Sequence, residues 1–345
     1  MTFDLIVVGG GPIGLATAIE ARLAGLSVVV VEPRTGPIDK ACGEGVMPGA
    51  VLALERIGVS PVGHPIAGFS YLDGRRTVEH RFATNSARGV RRTVLHGSLS
   101  RRAEHLGVEF VAGKIDSLTQ TTAGVQASGP AVQPLSAKWL VGSDGLHSTI
   151  RALAGLERSP GRARKRFGLR QHFRVAPWND LVEVHWGRTV EAYVTPVSDD
   201  LVGISMLGPQ RTNFTEALES LPALAEHLRG KQVDAPVRGA GPLRQRTKAR
   251  SAGRVLLVGD ASGYVDALTG EGLRVGLAQA KAAVASIVSG GAPAYERAWV
   301  RETRDFRVLT GGLVAAATSP LRGAIVPAAA ALPGVYSAIV ERLGR

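Results

Sequence analysis

The segment G-G-G-P-I-G at 9–14 constrains this chain more than any other. Gly9, Gly11 and Gly14 form G-x-G-x-x-G between an apolar run, F-D-L-I-V-V at 3–8, and a helical stretch, P-I-G-L-A-T-A-I-E-A-R-L-A-G at 12–25. The apolar run carries β-branched residues and reads as a buried parallel strand. Pro12 stands near the helix start and Gly25 at its end, where each residue is favoured. A second strand, S-V-V-V-V-E at 27–32, follows at once and completes a β-α-β unit. In that setting each glycine has a task. Gly9 permits the tight turn, Gly11 lets a pyrophosphate approach the backbone, and Gly14 lets the helix pack closely on the strand. The helix N-terminus then faces two phosphates. Glu32 ends the second strand, where a carboxylate can accept hydrogen bonds from both ribose hydroxyls of an adenosine. A carboxylate there disfavours a 2′-phosphate, so the resident nucleotide is expected to be FAD or NAD rather than NADP.

The chain has 345 residues, enough for two domains or one large one. Its single cysteine, Cys42, excludes an internal disulfide and fits a reducing compartment. The start, M-T-F-D-L-I-V-V-G-G, has no basic n-region, and Asp4 interrupts the apolar stretch, so it is not read as a signal peptide. A cytoplasmic location is expected. The stretch 323–340 carries no charge, but Pro327 and Pro333 split it into pieces too short to span a bilayer. It reads as a pair of short core or capping helices; the alternative is a lipid-contacting surface, which would make the protein peripheral to a membrane. Net charge is +12, and part of it clusters in G-R-A-R-K-R-F-G-L-R at 161–170. That run reads as a solvated basic loop, or as a dock for an acidic carrier protein, an anionic lipid surface or NADPH phosphates. No helix-turn-helix, zinc-finger or RNA-binding signature is present, so no nucleic-acid partner is expected.

Further along, 93–107 reads as a helix with apolar residues at 95, 99, 103 and 106, and 108–113 as a strand. A-K-W-L-V-G-S-D-G at 137–145 reads as a buried strand running into a turn. Between 167 and 207 the pattern changes to short strands at 172–175, 181–186, 191–196 and 201–207. These predict an antiparallel sheet inserted between Rossmann-type pieces. A helix is expected over 215–229, apart from Pro222, a buried strand over 254–261, and a helix over 273–288. The expected fold is α/β: a discontinuous Rossmann-type FAD-binding domain (1–65, 90–160, 250–290), an inserted antiparallel β-sheet substrate domain (66–89, 161–249) and C-terminal helices (291–345).

Two later segments carry a family resemblance. W-L-V-G-S-D-G-L-H-S-T-I-R at 139–151 resembles the D-G fingerprint of the para-hydroxybenzoate hydroxylase-like flavoproteins, with Asp144, Gly145, Ser148 and Arg151 in place. G-R-V-L-L-V-G-D-A at 253–261 resembles their G-D fingerprint. With the first glycine motif, three separated motifs match in order. The resemblance implies FAD, with Asp260 on the ribityl chain and Ala261 beside it. It also implies that the turn T-G-E-G-L at 269–273, through Gly270, Gly272 and Leu273, sets a helix N-terminus against the flavin. A helix N-terminus would stabilise the negative charge of reduced flavin. The two glycine loops would thus grip two ends of one long cofactor. Arg92, in R-x-x-L-x-x-x-L, matches the family's cofactor-contacting arginine, with Arg91 as its competitor, and Ile115 resembles its backbone contact to adenine. Pro33 and Arg34, after Glu32, and Cys42 and Gly43 complete the expected cofactor set.

The aromatic hydroxylases of this superfamily usually carry P-x-x-G-Q-G-x-N in the second loop, whereas this chain has A-L-T-G-E-G-L-R. T-G-E-G, and K-A-C-G-E-G-V at 40–46, are more similar to the geranylgeranyl reductase branch. Cys42 is a candidate for proton delivery or substrate placement, or a small buried residue. The inserted sheet offers Arg170, His172, His185 and Tyr193; strand alternation puts Arg170 and His172 on one face, and His172 and Tyr193 join Cys42 as catalytic candidates. No metal-ligand spacing and no Ser-His-Asp arrangement stands out. The framework implies an FAD-dependent oxidoreductase, first a single-component monooxygenase. NAD(P)H would be its transient reductant, and a C4a-hydroperoxyflavin would oxygenate a small hydrophobic or aromatic substrate. The alternatives are a geranylgeranyl reductase-like saturase acting on C=C bonds, and a non-enzymatic flavin-binding or membrane-associated protein.

Overall fold

The structure is a computed structural model that describes residues 2–83, 87–159, 161 and 165–344. The apolar run at the N-terminus forms the central strand, Thr2–Val8, of a parallel sheet. Val132–Gly142 pairs with it on one side and Val28–Glu32 on the other. Val255–Leu257 and Glu109–Ala112 extend the sheet outward in parallel. Both faces are apolar because both are covered, as parallel sheets require. Leu5, Val7, Val28 and Val30 meet the helices Pro12–Leu23, Arg92–His105 and Gly272–Ser289. Ile6, Val8, Val29 and Val31 meet the antiparallel strands Ser117–Gln120 and Val125–Gly129.

A second sheet runs in the order Gln232–Val233, Arg166–Arg174, Leu201–Pro209, Glu191–Ser198, Leu181–Trp186, Gly68–Leu72, Thr77–Arg81. Its pairings are antiparallel except that of Leu181–Trp186 with Gly68–Leu72. Side-chain alternation divides its work. Ala192, Val194, Ile204 and Met206 pack beneath the helices Phe214–Glu219 and Pro222–Leu228. Tyr193, Thr195, Ser205 and Leu207 face the opposite way, onto a cavity between the two sheets. A three-stranded sheet of Gly45–Val46, Ala87–Gly89 and His64–Ile66 closes one end.

Several elements differ from the sequence reading. The helix expected at 215–229 breaks at Leu221, which sits at φ −120°, ψ 77° before Pro222; a residue preceding proline is pushed out of the helical region. The strand expected at 172–175 begins at Arg166. The strand expected at 254–261 ends at Leu257, and Gly259–Ser262 forms a 3-10 turn. The basic run at 161–170 is also not a uniformly solvated loop. Arg166 and Arg170 are buried: Arg166 pairs with Glu191 at 2.8 Å and Asp266 at 3.0 Å, and Arg170 with Asp39. Strand alternation turns both inward, while Lys165 between them and the loop is exposed. Arg162, Ala163 and Arg164 lie outside the described residues.

The C-terminal part consists of the helix Gly291–Ala317, a 3-10 turn at Pro320–Ala324 and the short helices Ile325–Ala331 and Pro333–Gly344. Val326, Tyr336 and Val340 pack against Val184 and Trp186 of the second sheet. Arg322 ties this segment down through Glu191 at 2.5 Å and the backbone oxygen of Val190 at 2.6 Å. Among the described residues no single helix is long and apolar enough to cross a membrane.

Candidate functional site

The first glycine loop is built by contact. Gly9 has φ 107°, and a Cβ there would lie 2.6 Å from the Ser143 carbonyl oxygen. A Cβ on Gly14 would lie 1.8 Å from the Gly9 oxygen, far inside van der Waals contact. Gly11 is different: a Cβ there would meet no protein atom within 4 Å. The space above Gly11 opens onto the cavity between the two sheets.

Around the cavity the cofactor residues expected from sequence fall into two groups. Gly11, Pro12, Arg34, Cys42, Gly43, Arg92, Asp144, Gly145, Asp260, Gly270, Gly272 and Leu273 line it. Gly9, Gly14, Glu32, Pro33, Ile115 and Ala261 do not; they shape or frame the loops that do. Glu32 is buried at the strand end, where its Oε2 accepts from Gly10 N at 2.8 Å and its Oε1 from Arg34 Nε at 2.7 Å. Burial opposes its ionisation, but the hydrogen bonds from Arg34 and Gly10 outweigh it and hold the carboxyl below its ordinary value. Ile115 is buried in the core behind the sheet. Pro33 is exposed at the rim, and Ala261 is buried within the 3-10 turn.

The D-G segment fastens the two glycine loops to each other. Ser143 Oγ donates to Val8 O and Gly9 O, each at 2.9 Å. Asp144 Oδ1 accepts from Ser148 Oγ at 2.5 Å and Oδ2 from Ile150 N at 3.1 Å, while Ser148 Oγ accepts from Arg151 N at 2.9 Å and caps the helix Thr149–Leu153. Buried Arg151 donates to Leu146 O at 2.8 Å and Ala261 O at 3.2 Å, bridging to the G-D turn. Asp260 lines the cavity, and its carboxylate accepts no hydrogen bond among the described residues. Beyond it, Gly270 takes φ 72° with open space at its Cβ position, and the helix Gly272–Ser289 points its N-terminus at the cavity. The first amides of a helix lack internal partners and carry partial positive charge.

These features fit FAD. Arg92 strengthens the fit: its Nε is buried without a partner, while the neighbouring Arg91 is committed to Asp234 at 2.9 Å. The structure thus separates the two arginines that the sequence leaves as competitors. Gly11 would hold the pyrophosphate, Glu32 the adenosine end, Asp260 the ribityl hydroxyls, and the amides at 272–273 the flavin ring.

The catalytic candidates also separate. Cys42 lines the cavity, and burial pushes its thiol up, so it is protonated at neutral pH. Tyr193 lines it too, but its hydroxyl donates to Leu268 O at 2.7 Å, and burial, then Glu191, push it well above its ordinary value. His172 is placed behind the cavity wall rather than on it. Its ring is fully buried, with Nδ1 at 2.7 Å from Arg170 Nη1 and Nε2 at 2.5 Å from Glu44 Oε2. Both nitrogens are engaged by protein partners. His185 is likewise buried, against Glu183 at 2.8 Å.

Sequence reasoning missed Glu44. Its backbone takes φ 58°, uncommon for a residue with a side chain. Its carboxylate accepts from Arg92 N at 2.9 Å as well as meeting His172. Thr195 Oγ1 donates to Gly43 O at 2.8 Å, and Ser205 Oγ to Cys42 O at 3.0 Å. The loop carrying Cys42 is therefore pinned both to the second sheet and to the helix that bears Arg92. Glu271 was missed as well: burial pushes its carboxyl up to about 7, against the pull of Arg274.

A discontinuous parallel sheet with a pyrophosphate loop, and a second sheet roofing the flavin end, define a flavoprotein of the oxidoreductase class. The chain belongs to the family described as FAD binding domain, which matches residues 2–289. It is 29% identical over 344 residues to a menaquinone reductase of Mycolicibacterium smegmatis, covering 86% of this chain and 79% of that one. It is 32% identical over 162 residues to a rifampicin monooxygenase of Streptomyces venezuelae, covering 45% of this chain and 34% of that one. Among solved structures it is similar to the flavin-dependent brominase Bmp2, with TM-score 0.81, 15% identity and coverage of 100% and 94%. That likeness is one of fold. The protein is an FAD-dependent oxidoreductase.

Proposed function

We propose that the protein reduces a C=C bond in an apolar, isoprenoid-type substrate, with NAD(P)H as transient reductant of its FAD. The observation that supports this reading most is the placement of the K-A-C-G-E-G loop. It brings a neutral thiol, Cys42, to a cavity wall made of Phe69, Leu169, Val182, Leu207 and Leu243. Reducing a C=C bond needs a hydride at one carbon and a proton at the other. Bound FAD, once reduced, supplies the hydride. Cys42 gives the proton to the second carbon and regains one from solvent; a thiol held protonated by burial suits donation rather than nucleophilic attack. The apolar wall orients the chain of the substrate and excludes water. The long match to a menaquinone reductase, whose named substrate is an isoprenoid quinone, agrees with this reading.

Oxygen transfer is the second reading, favoured by the match to a rifampicin monooxygenase. One experiment tests both. The FAD-loaded protein, reduced without oxygen, is mixed with a short-chain menaquinone or a geranylgeranyl lipid, and the product is weighed by mass spectrometry. A gain of two hydrogens supports the reductase. No anaerobic product, with incorporation of label from ¹⁸O₂ in air, overturns it in favour of oxygenation. Cys42→Ala is expected to lower kcat for the reduction about 10²-fold, the usual worth of a positioned acid, with flavin reduction by NAD(P)H unchanged.

A further inference from the structure

Behind the G-D turn lies a second cavity, between that turn and the C-terminal helix Gly291–Ala317. Among the described residues five arginines line it: Arg158, Arg244, Arg246, Arg250 and Arg307. None of the five makes a salt bridge among the described residues, whereas Arg166 and Arg170 of the second sheet and Arg322 of the C-terminal 3-10 turn are all paired with carboxylates. Among the described residues, the one carboxylate in its wall is Asp260. Glu296, close by, is occupied by the backbone NH of Arg250 at 2.6 Å and by Ser251 Oγ at 2.8 Å.

Two further observations point to a ligand. Arg250 Nε and Thr303 Oγ1 are both buried without a hydrogen-bond partner, and Thr303 is only 1% exposed. Buried polar groups are ordinarily satisfied, so two orphans in one wall call for a missing partner. Arg250 and Arg307 also share one indole: their guanidinium carbons lie 3.9 and 5.1 Å from the Trp299 ring centroid. Burial, and then Arg307 against the pull of Glu296, depress the Arg250 guanidinium from its ordinary value. Like charges held together at a half-buried site repel until an anion separates them.

We propose that this cavity is a second ligand site, taking a phosphate-bearing anion. Guanidinium forks match phosphate oxygens in pairs, and the indole and Phe306 offer an apolar floor for the organic part of the ligand. The same chemistry is carried by the phosphates of a soluble nucleotide and by a lipid headgroup. Gly259, Asp260, Tyr264 and Gly272 line both cavities, so an anion here lies directly behind the turn that holds the flavin. Occupancy is therefore read by flavin fluorescence. The inference is independent of which reaction the first cavity performs.

The test titrates the FAD-loaded protein with inorganic pyrophosphate, with adenosine 2′,5′-bisphosphate, and with vesicles of phosphatidylglycerol against phosphatidylcholine, by calorimetry and flavin fluorescence. Saturable binding that weakens tenfold or more in Arg250→Gln/Arg307→Gln is expected. Saturation by the soluble phosphates identifies a nucleotide-type ligand; arginine-dependent binding of phosphatidylglycerol vesicles alone identifies a headgroup. Should the Arg250 variant fail to retain FAD, the exposed pair Arg244→Gln/Arg246→Gln carries the same test. If no probe saturates, or if neither variant weakens binding, the proposal is overturned.

Discussion

The two glycine loops would hold one cofactor at opposite ends, yet they are made differently. At 9–14 the backbone itself leaves no room: Gly14 sits against the Gly9 oxygen, and Gly9 against Ser143. At 269–272 the space is open around Gly270, and the distinctive group is a buried carboxyl, Glu271, beside Arg274. The first loop is a steric device that sets distances between strand, helix and phosphate. The second is an electrostatic device, in which a helix N-terminus and a titratable acid share a dry site. Substitutions at the two should therefore fail in different ways.

The largest effect is expected from Gly14→Ala. Its Cβ would need the helix and strand to separate, which costs more than the ~1–3 kcal/mol of ordinary core overpacking. The variant is expected to lose both FAD and several degrees of thermal stability, measured by flavin retention on gel filtration and by the unfolding midpoint. Gly11→Ala is the control that sharpens this. Gly11 has φ −68°, and its Cβ would enter open space. Its apo-protein should unfold at the wild-type temperature while its affinity for FAD falls. An apo-protein equally destabilised in both variants would break the distinction between packing glycines and ligand-facing glycines.

The next effect in size concerns the span between the loops. Glu44→Ala removes the acceptor for Arg92 N and the partner of a buried His172 nitrogen. Each unsatisfied buried group costs ~1–3 kcal/mol, so a loss of about 3 kcal/mol is expected in denaturant unfolding. Because the Cys42 loop is released as well, flavin reduction should slow less than turnover of substrate. Unchanged stability would mean that this network is not a fixed one.

How much of this the sequence reveals follows from the same contrast. Steric devices are local: three glycines, a strand before and a helix after lie within about thirty residues, so Gly9, Gly11, Gly14 and Glu32 could be read directly. The inserted sheet was legible too, because alternation is a two-residue pattern. Electrostatic devices are not local. Glu44 meets Arg92 and His172, 48 and 128 residues away. The arginines of the second cavity run from 158 to 307, and no window shorter than the fold collects them. Arg166 and Arg170 misled for the same reason, since their carboxylates at Glu191, Asp266 and Asp39 are invisible to a reading of the basic run. The T-G-E-G match placed the second loop, but nothing in those four letters shows that the glutamate is buried.

Glu271 supplies a prediction with a sign. Its carboxyl titrates near 7 in the folded protein against an ordinary 4.5. Between those values the native state holds a proton that the unfolded chain releases, so stability is highest below the lower value and falls as pH rises toward 7. The gap corresponds to about 3 kcal/mol at most. Glu271→Gln should flatten the fall in unfolding midpoint between pH 5 and 7.5, and its stability relative to wild type should be greatest at the upper end. A wild-type slope that survives in the glutamine variant would assign the effect to another group.

The smallest effect belongs to Gly270→Ala, and it tests the contrast most finely. Gly270 and Gly14 are both loop glycines beside a helix start, so composition alone treats them alike. At Gly270 the added methyl touches nothing; only the left-handed backbone, at φ 72°, resists it. That costs ~1–2 kcal/mol for an alanine, well under the cost of a clash. The unfolding midpoint should fall slightly, with FAD retained, because a strained but open turn can keep its shape. The helix amides at 272–273 would still face the flavin, so the reduction potential of the bound cofactor should hold as well. A loss of FAD as complete as that of Gly14→Ala would show that the second loop, like the first, works by contact and not by charge.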